Sequence, residues 1–345
     1  MADTLARYAR QINYAPLGAK GQSALLASTA LIVGCGALGT VQANLLARAG
    51  VGRLRIVDRD FVELTNLQRQ VLFDEEDLRR ELPKAVAAAN KLAVINSTIT
   101  LEPIVADLHS GNIRELCQGV DCILDGTDNF ETRFLINDAA HALGIPWIYG
   151  GCIGAEGQML AILPGETPCL RCVLPEPPPP GTQQTCDTAG VLGPAAGIVA
   201  AWQAAEALKI LSGNRAAVNR HWVVFDLWRG DWRQLAVAGL REAGGCGSCQ
   251  QGEYPWLLGE RGNQAAVLCG RNAVQLTFAD VRWSLAELRE KLRLLPEAQL
   301  SGNNYLLRLR VDPYLLTFFP DGRVIVQGTD DIAAAKTVFT KYLGG

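Results

Sequence analysis

Between Thr29 and Tyr149 short apolar runs alternate with longer stretches in which apolar residues recur every three or four positions. The runs "ALIVG", "LRIVD", "TITLEPI", "DCILDG" and "PWIYG" predict strands, and Ala37–Ala49, Lys84–Val94 and Phe130–Leu143 predict helices. Parallel strands need crossover helices, so this alternation predicts an α/β fold: a Rossmann-like, doubly wound and mostly parallel sheet. "GQMLAILP" changes the rhythm and predicts an antiparallel extension, and "HWVVFDL" predicts a further strand. Between them, Leu174 to Gly190 carries four consecutive prolines and is read as a long crossing loop, neither helix nor central strand. Pro194 then suits the first turn of a helix running to Leu211.

A glycine-rich stretch, "EAGGCGSCQQGEYP", closes the main pattern. Beyond it, "AVQLTF" and "YLLRLR" predict strands, "SLAELREKLRLL" an amphipathic helix, "LLTFFPDGRVIVQG" a hairpin around Pro-Asp-Gly, and "DDIAAAKTVFTKYL" a last helix. The expected organisation is a large domain over 1–250, a linker over 251–262 and a small α+β domain over 263–345.

The chain has 345 residues and a formal charge of -3, so no general basic field is available to hold nucleic acid or an anionic membrane. Any phosphate ligand must be met by local groups. The opening "MADTLARYARQI" has no apolar core of a signal peptide, which leads to the expectation of a cytoplasmic protein. Ala189 to Leu211 is apolar but interrupted by Gln203, Glu206 and Lys209, and reads as a buried helix rather than a membrane span. Ten cysteines in a reducing compartment call for metal binding or catalysis rather than disulfides. The three histidines, His109, His141 and His221, are read as surface or satisfied core imidazoles, which leaves few candidates for a histidine base.

Gly34, Gly36 and Gly39 form G-x-G-x-x-G between a predicted strand and a predicted helix, where a phosphate can approach the backbone and meet helix-end amides. Asp58, ending the next strand, is placed to accept from ribose hydroxyls. These features alone fit a dinucleotide of an NAD(P)-dependent oxidoreductase as well as another nucleotide. Asp60, Asn66, Arg69 and Gln70 follow within a dozen residues, and Lys84 stands at a predicted helix start; together they fit a triphosphate, whose charge Arg69 and Lys84 can neutralise. Asp128, in "DGTDN" with Asn129, is either a ligand for Mg²⁺ or the N-cap of the helix that starts at Phe130.

Cys169 and Cys172 in "CLRC" and Cys246 and Cys249 in "CGSC" offer four thiolates for tetrahedral Zn²⁺, a closed shell that predicts a structural site; a redox pair is the competing reading. Cys186 stands apart on the proline-rich loop, ahead of a predicted helix, as a candidate nucleophile. No chemistry is expected of Cys35, Cys117, Cys122, Cys152 or Cys269.

With these residues in order, the first 250 or so positions resemble the HesA/MoeB/ThiF family of ubiquitin-activating-type enzymes, through "RYARQI", "GCGALG", "DRDFVELTNLQRQ", "PK", "DGTDN", "CLRC", "TCDTAGVLG" and "CGSC". The resemblance implies an adenylyltransferase that uses ATP and Mg²⁺ to adenylate the C-terminal glycine of a ubiquitin-like sulfur carrier ending in Gly-Gly. It implies Gly36 and Gly39 at the phosphates, Asp58 at the ribose, Asn66, Arg69 and Lys84 along the triphosphate, and Asp128 at the metal. It also implies a homodimer, with Arg10 reaching into the partner's site, and a role for Cys186 in handling the activated carrier. A scaffold that binds a carrier without turnover is an alternative, opposed by the intact Arg69, Lys84 and Asp128. "ELPK" lacks the glycine common before the family's proline-lysine pair, and no rhodanese-like active loop is evident in the tail. A persulfide donor, such as a cysteine desulfurase, is therefore expected from outside. The tail resembles the short extension of some bacterial members, and the final Gly344-Gly345 is read as a frayed terminus.

Overall fold

In a computed structural model, the structure describes residues 5–179, 186–261, 265–268, 272–278, 281–295 and 299–343, with nothing described of the side chains of 186–187 and 265–268. Two compact units divide the chain, Met1–Arg261 and Gly262–Gly345.

The first unit is built on an eight-stranded sheet: β1 (Thr29–Val33), β2 (Arg53–Val57), β3 (Thr100–Ile104), β4 (Cys122–Asp125), β5 (Trp147–Ile153), β6 (Glu156–Ile162), β7 (His221–Asp226) and β8 (Asp231–Ala236), in the order β3-β2-β1-β4-β5-β6-β7-β8. The neighbours from β3 to β5 pair parallel, and β6, β7 and β8 each pair antiparallel with the strand before. The strands named from the runs are all present. The order reverses between β1 and β4, which opens a crevice at their carboxyl ends, the place where such sheets bind ligands.

Alternating side chains divide the core. Leu31, Val33, Val57, Ile123, Trp147, Tyr149, Leu160 and Ile162 pack with the helix Phe130–Leu143. The opposite face is covered by Ala37–Ala49 and by Gly193–Leu211, which has Pro194 at its start; Leu38, Ala195, Ala196, Val199 and Phe225 form a cluster there. Gln203 and Glu206 are buried and hydrogen-bonded, and Lys209, partly exposed, pairs with Glu206 at 2.7 Å. Among the described residues no helix is long and apolar enough to cross a membrane.

One helix lies where the sequence reading named no element, and two segments depart from that reading. Gly18–Ala27 forms a helix, with Gln22 donating to the Ala49 carbonyl at 3.0 Å. Cys186–Ala189, expected within a loop, makes one helical turn. The stretch expected to begin a linker packs with the first unit instead: Trp256 and Leu257 join its core, and the Trp256 N–H donates to Asp138 at 3.1 Å.

The second unit has its own sheet, in the order β11-β12-β13-β14-β10-β9: β9 (Ala265–Leu268), β10 (Ala273–Thr277), β11 (Gln299–Gly302), β12 (Leu307–Val311), β13 (Tyr314–Phe318) and β14 (Arg323–Gln327). Every pair is antiparallel, and β13 and β14 form the expected hairpin. Leu285–Leu292 and Ile332–Leu343 supply Leu288, Leu292, Ala335 and Val338 to a core with Leu307, Leu309, Leu316, Phe318, Val324 and Val326. Gly344-Gly345 lies outside the described residues, as does Cys269.

Candidate active site at the strand-order reversal

The three glycines after β1 have different physical reasons to be glycine. Gly34 has φ +85°, and a Cβ there would lie 2.7 Å from the Gly126 carbonyl; a Cβ on Gly39 would lie 1.9 Å from the Gly34 carbonyl. Both are forced by the chain itself. Gly36 has φ -88°, and a Cβ would come no nearer than 3.9 Å to Gln70 Nε2 and the Gly126 carbonyl. Its bare backbone leaves room that a ligand can use at the start of the helix Ala37–Ala49, where free amides and the helix dipole favour an anion.

Asp58 braces this turn: its Oδ2 accepts from the Cys35 N–H and its Oδ1 from the Asp60 N–H, each at 2.6 Å. Burial raises its carboxyl above the ordinary range, against the pull of nearby Lys84. Lys84 is buried at the start of the helix Lys84–Ile95; its N–H donates to the Asp60 carbonyl at 2.9 Å and its Nζ sits 3.3 Å from Asp60 Oδ2. Burial pulls the ammonium down, but Asp60, Asp58 and Asp128 outweigh it and hold Lys84 charged above the usual lysine range. The "ELPK" departure has a structural counterpart. Here a glutamate, Glu81, adopts φ +48°, a conformation that favours glycine.

The turn of Leu64–Asn66 carries the remaining polar residues. Asn66 is buried and accepts from the Glu63 N–H at 3.2 Å, and the Arg69 guanidinium donates to the Thr65 carbonyl at 2.7 Å. Gln70 is buried, and its Oε1 has no hydrogen-bond partner among the described residues. The Gln70 amide reaches the open space at Gly36, its Nε2 lying 3.9 Å from where a Cβ would fall, so it has an unused polar group to offer a ligand there.

Asp128 is exposed and interacts electrostatically with Lys84, Arg59 and Arg133. It does not cap the following helix; Asn129 does, its side chain accepting from the Thr132 N–H at 2.8 Å. Asn129 thus has a structural task, and the Asp128 side chain is left exposed without a capping role. Arg59, which the sequence reading passed over, pairs with Asp107 at 3.0 Å.

Eight residues further along the same helix, about 12 Å, Asn137 and Asp138 hold the cysteine knuckles. Asn137 accepts from the Leu170 N–H at 2.9 Å and donates to Ser248 at 3.1 Å, while Ser248 donates to Asp138 at 3.2 Å. The four sulfurs of Cys169, Cys172, Cys246 and Cys249 lie within 4.8 Å of one another, with neighbouring pairs at 3.8, 3.5 and 3.4 Å. Tetrahedral zinc–thiolate bonds of about 2.3 Å place sulfurs about 3.8 Å apart, so this donor set fits Zn²⁺.

A family model described as the ThiF family matches residues 8–248. The chain belongs to the ThiF family. It is 43% identical over 344 residues to the sulfur carrier protein ThiS adenylyltransferase of Bacillus subtilis (strain 168), covering 98% of this chain and 99% of that one. It is 39% identical over 240 residues to the sulfur carrier protein adenylyltransferase of Thermus thermophilus, covering 68% of this chain and 88% of that one. Among solved structures, Escherichia coli MccB superposes with a TM-score of 0.60 at 22% identity, over 71% of this chain and 72% of that one, a likeness of fold. The chain is thus an enzyme of the adenylyltransferase class, and the oxidoreductase alternative finds no support.

In this ThiF-family chain the crevice gathers Gly36, Asp58, Asp60, Gln70, Lys84 and Asp128, with Asn66 and Arg69 on the adjoining turn. Arg10 is not among them. It is exposed on the helix Ala9–Ile12, whose neighbour Tyr8 packs where a Cβ on Gly50 would fall, at the far end of Ala37–Ala49 and about 20 Å from the glycine turn. Cys186 starts its helical turn, with the Gly190 carbonyl accepting from Gly154 N–H at 2.9 Å. Of the histidines, His109 Nδ1 accepts from the Gly111 N–H in a turn, His221 is exposed at the start of β7 with its ring against Asn219, and His141 is half-buried beside Cys249, its Nε2 without a hydrogen-bond partner among the described residues rather than satisfied.

Sequence reasoning missed the buried polar frame under the crevice. Arg133 pairs with Asp125 at 3.1 Å, and Gln42 and Gln203 both donate to the Asp125 carbonyl, at 2.9 and 2.8 Å. The available signal was an arginine and two glutamines inside otherwise apolar helix faces.

Proposed function

We propose that this chain uses ATP to adenylate the C-terminal glycine of a small ubiquitin-like sulfur carrier ending in Gly-Gly, releasing pyrophosphate. The likeness to a named ThiS adenylyltransferase across 98% of the chain carries the proposal, and the crevice chemistry supports it. A glycine carboxylate is ionised at neutral pH and attacks the α-phosphate without a general base, so the protein has to position it and stabilise charge. A crevice furnished with a lysine and carboxylates, and with no histidine among its described residues, suits that task.

In this reading the amides at Gly36 and the following helix hold phosphate oxygens, Gly34 and Gly39 shape the turn, and Asp58 receives the ribose hydroxyls. Lys84, oriented by Asp60, and Arg69, released from Thr65, face the triphosphate, with Asn66 and Gln70 completing the polar wall. Asp128, beside Asn129, would hold Mg²⁺, which supplies positive charge against the phosphoryl oxygens. Zn²⁺ at the four cysteines would tie the start of the proline-rich segment to the end of the first unit, with no open coordination position. Arg10, too far from its own crevice, would act in the partner's site of a homodimer. Cys186 would accept the activated carrier during sulfur transfer, with the persulfide supplied by an external donor such as a cysteine desulfurase.

The test is exchange of labelled pyrophosphate into ATP. Exchange that requires a carrier ending in Gly-Gly supports the reading; tight ATP binding with no exchange across the plausible carriers favours a scaffold instead. For Cys186, C186A is expected to keep adenylation and lose sulfur loading, and wild-type rates in both would remove its role.

A further inference from the structure

The residues on either side of Asp128 are held by a frame more elaborate than a helix start requires. Arg133 donates to Asp125 Oδ2 at 3.1 Å, to the Thr127 carbonyl at 2.7 Å and to the Gly150 carbonyl at 3.0 Å. Asp125 Oδ1 accepts from the Thr127 N–H at 2.9 Å and hydroxyl at 2.7 Å, and its Oδ2 faces the Gly150 N–H at 3.4 Å. The guanidinium lies against the rings of Phe130 and Tyr149, 5.3 and 5.2 Å from their centres. Gly126 between them is locked to the glycine turn, since a Cβ there would lie 2.4 Å from the Gly34 carbonyl. Within this turn Asp128 alone keeps an exposed carboxylate with no hydrogen bond among the described residues.

Both partners of the Arg133–Asp125 pair are buried, with side chains 8% and 0% exposed. A buried ion pair returns little net stability for its desolvation, and apolar substitutes of similar volume commonly do as well. What an apolar pair cannot do is grip two carbonyls and a carboxylate at fixed angles. We propose that Arg133 is a positioning residue for Asp128: by clamping residues 125–127 to β5, it aims the Asp128 carboxylate across the crevice toward Lys84 and the glycine turn. The inference rests on the proposed nucleotide-and-metal reading of that crevice and deepens it.

The test uses the full chain, ATP, and Mn²⁺ as a paramagnetic stand-in for Mg²⁺, with bound Mn²⁺ read by electron paramagnetic resonance and ATP binding by calorimetry. R133K keeps the charge beside Asp125 but cannot span both carbonyls. It is expected to raise the half-saturating Mn²⁺ concentration about tenfold, while metal-free ATP affinity moves less than threefold. D128N is expected to raise it at least as much, and R133K added to D128N less than a further twofold, because the two act through one carboxylate. An unchanged Mn²⁺ titration in a folded R133K, or full additivity with D128N, overturns the inference. If R133K fails to fold, T127V, which removes only the hydroxyl bond to Asp125, carries the same test: a shift of about threefold, absent from the D128N background, supports it, and no shift overturns it. Failure of the wild type to bind ATP with or without Mn²⁺ would instead sink the functional reading, and the inference with it.

Discussion

Replacing Gly36 by alanine separates ligand binding from folding. The new Cβ would meet nothing nearer than 3.9 Å, and φ of -88° lies outside the left-handed region that favours glycine. Gly36 is the N-cap of Ala37–Ala49, where alanine is worse than glycine by about 0.5–1 kcal/mol, and the less flexible unfolded chain returns about 0.4–1 kcal/mol. Stability is therefore expected within about 1 kcal/mol of the wild type, a shift of no more than about 4 °C in Tm. Binding is another matter. A methyl group at the closest approach of the phosphates pushes them out of reach of one or two backbone amides. Each charge-assisted bond contributes about 1.5–3 kcal/mol, so a loss of about 3 kcal/mol lowers ATP affinity more than 100-fold. Calorimetric titration with ATP and a thermal melt read the two effects separately. G34A and G39A serve as contrasts, since each forces a Cβ into backbone and should unfold the first unit. If G36A bound ATP within threefold of the wild type, the phosphates would not lie on this turn.

With Zn²⁺ held at the four cysteines as proposed, a strong chelator or C246S should abolish the metal seen by elemental analysis and lower Tm by several degrees, because the two knuckles then lose their shared tie. Asp74 caps Glu75–Arg79, and D74A should cost about 1 kcal/mol by denaturant melt. The Lys91 ammonium, with the Asp77 N–H, holds the Asp74 carboxyl down at about 2. Its contribution is therefore present above about pH 4 and lost as pH falls through about 2. Because the side chain is 56% exposed, the acid limb of the stability profile should shift by well under 1 kcal/mol between wild type and D74A. Truncation after Arg261 should leave a folded first unit. Truncation after Gln250 should not, since it removes Trp256 and Leu257 from the core at about 3–5 kcal/mol for the tryptophan alone.

Local spacing carried the legible part of the molecule. The five parallel strands, the helices between them and the hairpin at Pro-Asp-Gly announce themselves by period and turn chemistry, and the two C-x-x-C pairs by ligand count. Gly34 and Gly39 are likewise readable, because a strand, a glycine turn and a helix are contiguous. Other features depend on residues far apart in sequence. All six residues of β8 are exposed, so it shows no buried alternation to betray a strand. Arg133, Gln42 and Gln203 are polar residues on apolar helix faces, and nothing local says that the fold brings them together at the Asp125 carboxylate and carbonyl. Asp128 and Asn129 both suit an N-cap by type; the backbone geometry that gives the task to Asn129 is not encoded in residue preference. Trp256 sits in the stretch that reads as linker, and its docking against Asp138 and Phe134 makes it core.

The central claim is that the crevice activates a carrier's C-terminal glycine with ATP. Its most direct measurement is intact-mass and fragment-ion analysis of a carrier ending in Gly-Gly after incubation with the protein, ATP and Mg²⁺. The account predicts an added adenylate on the terminal glycine, matched by released pyrophosphate and absent with K84M. A carrier that is bound but never modified, with ATP intact, would contradict it.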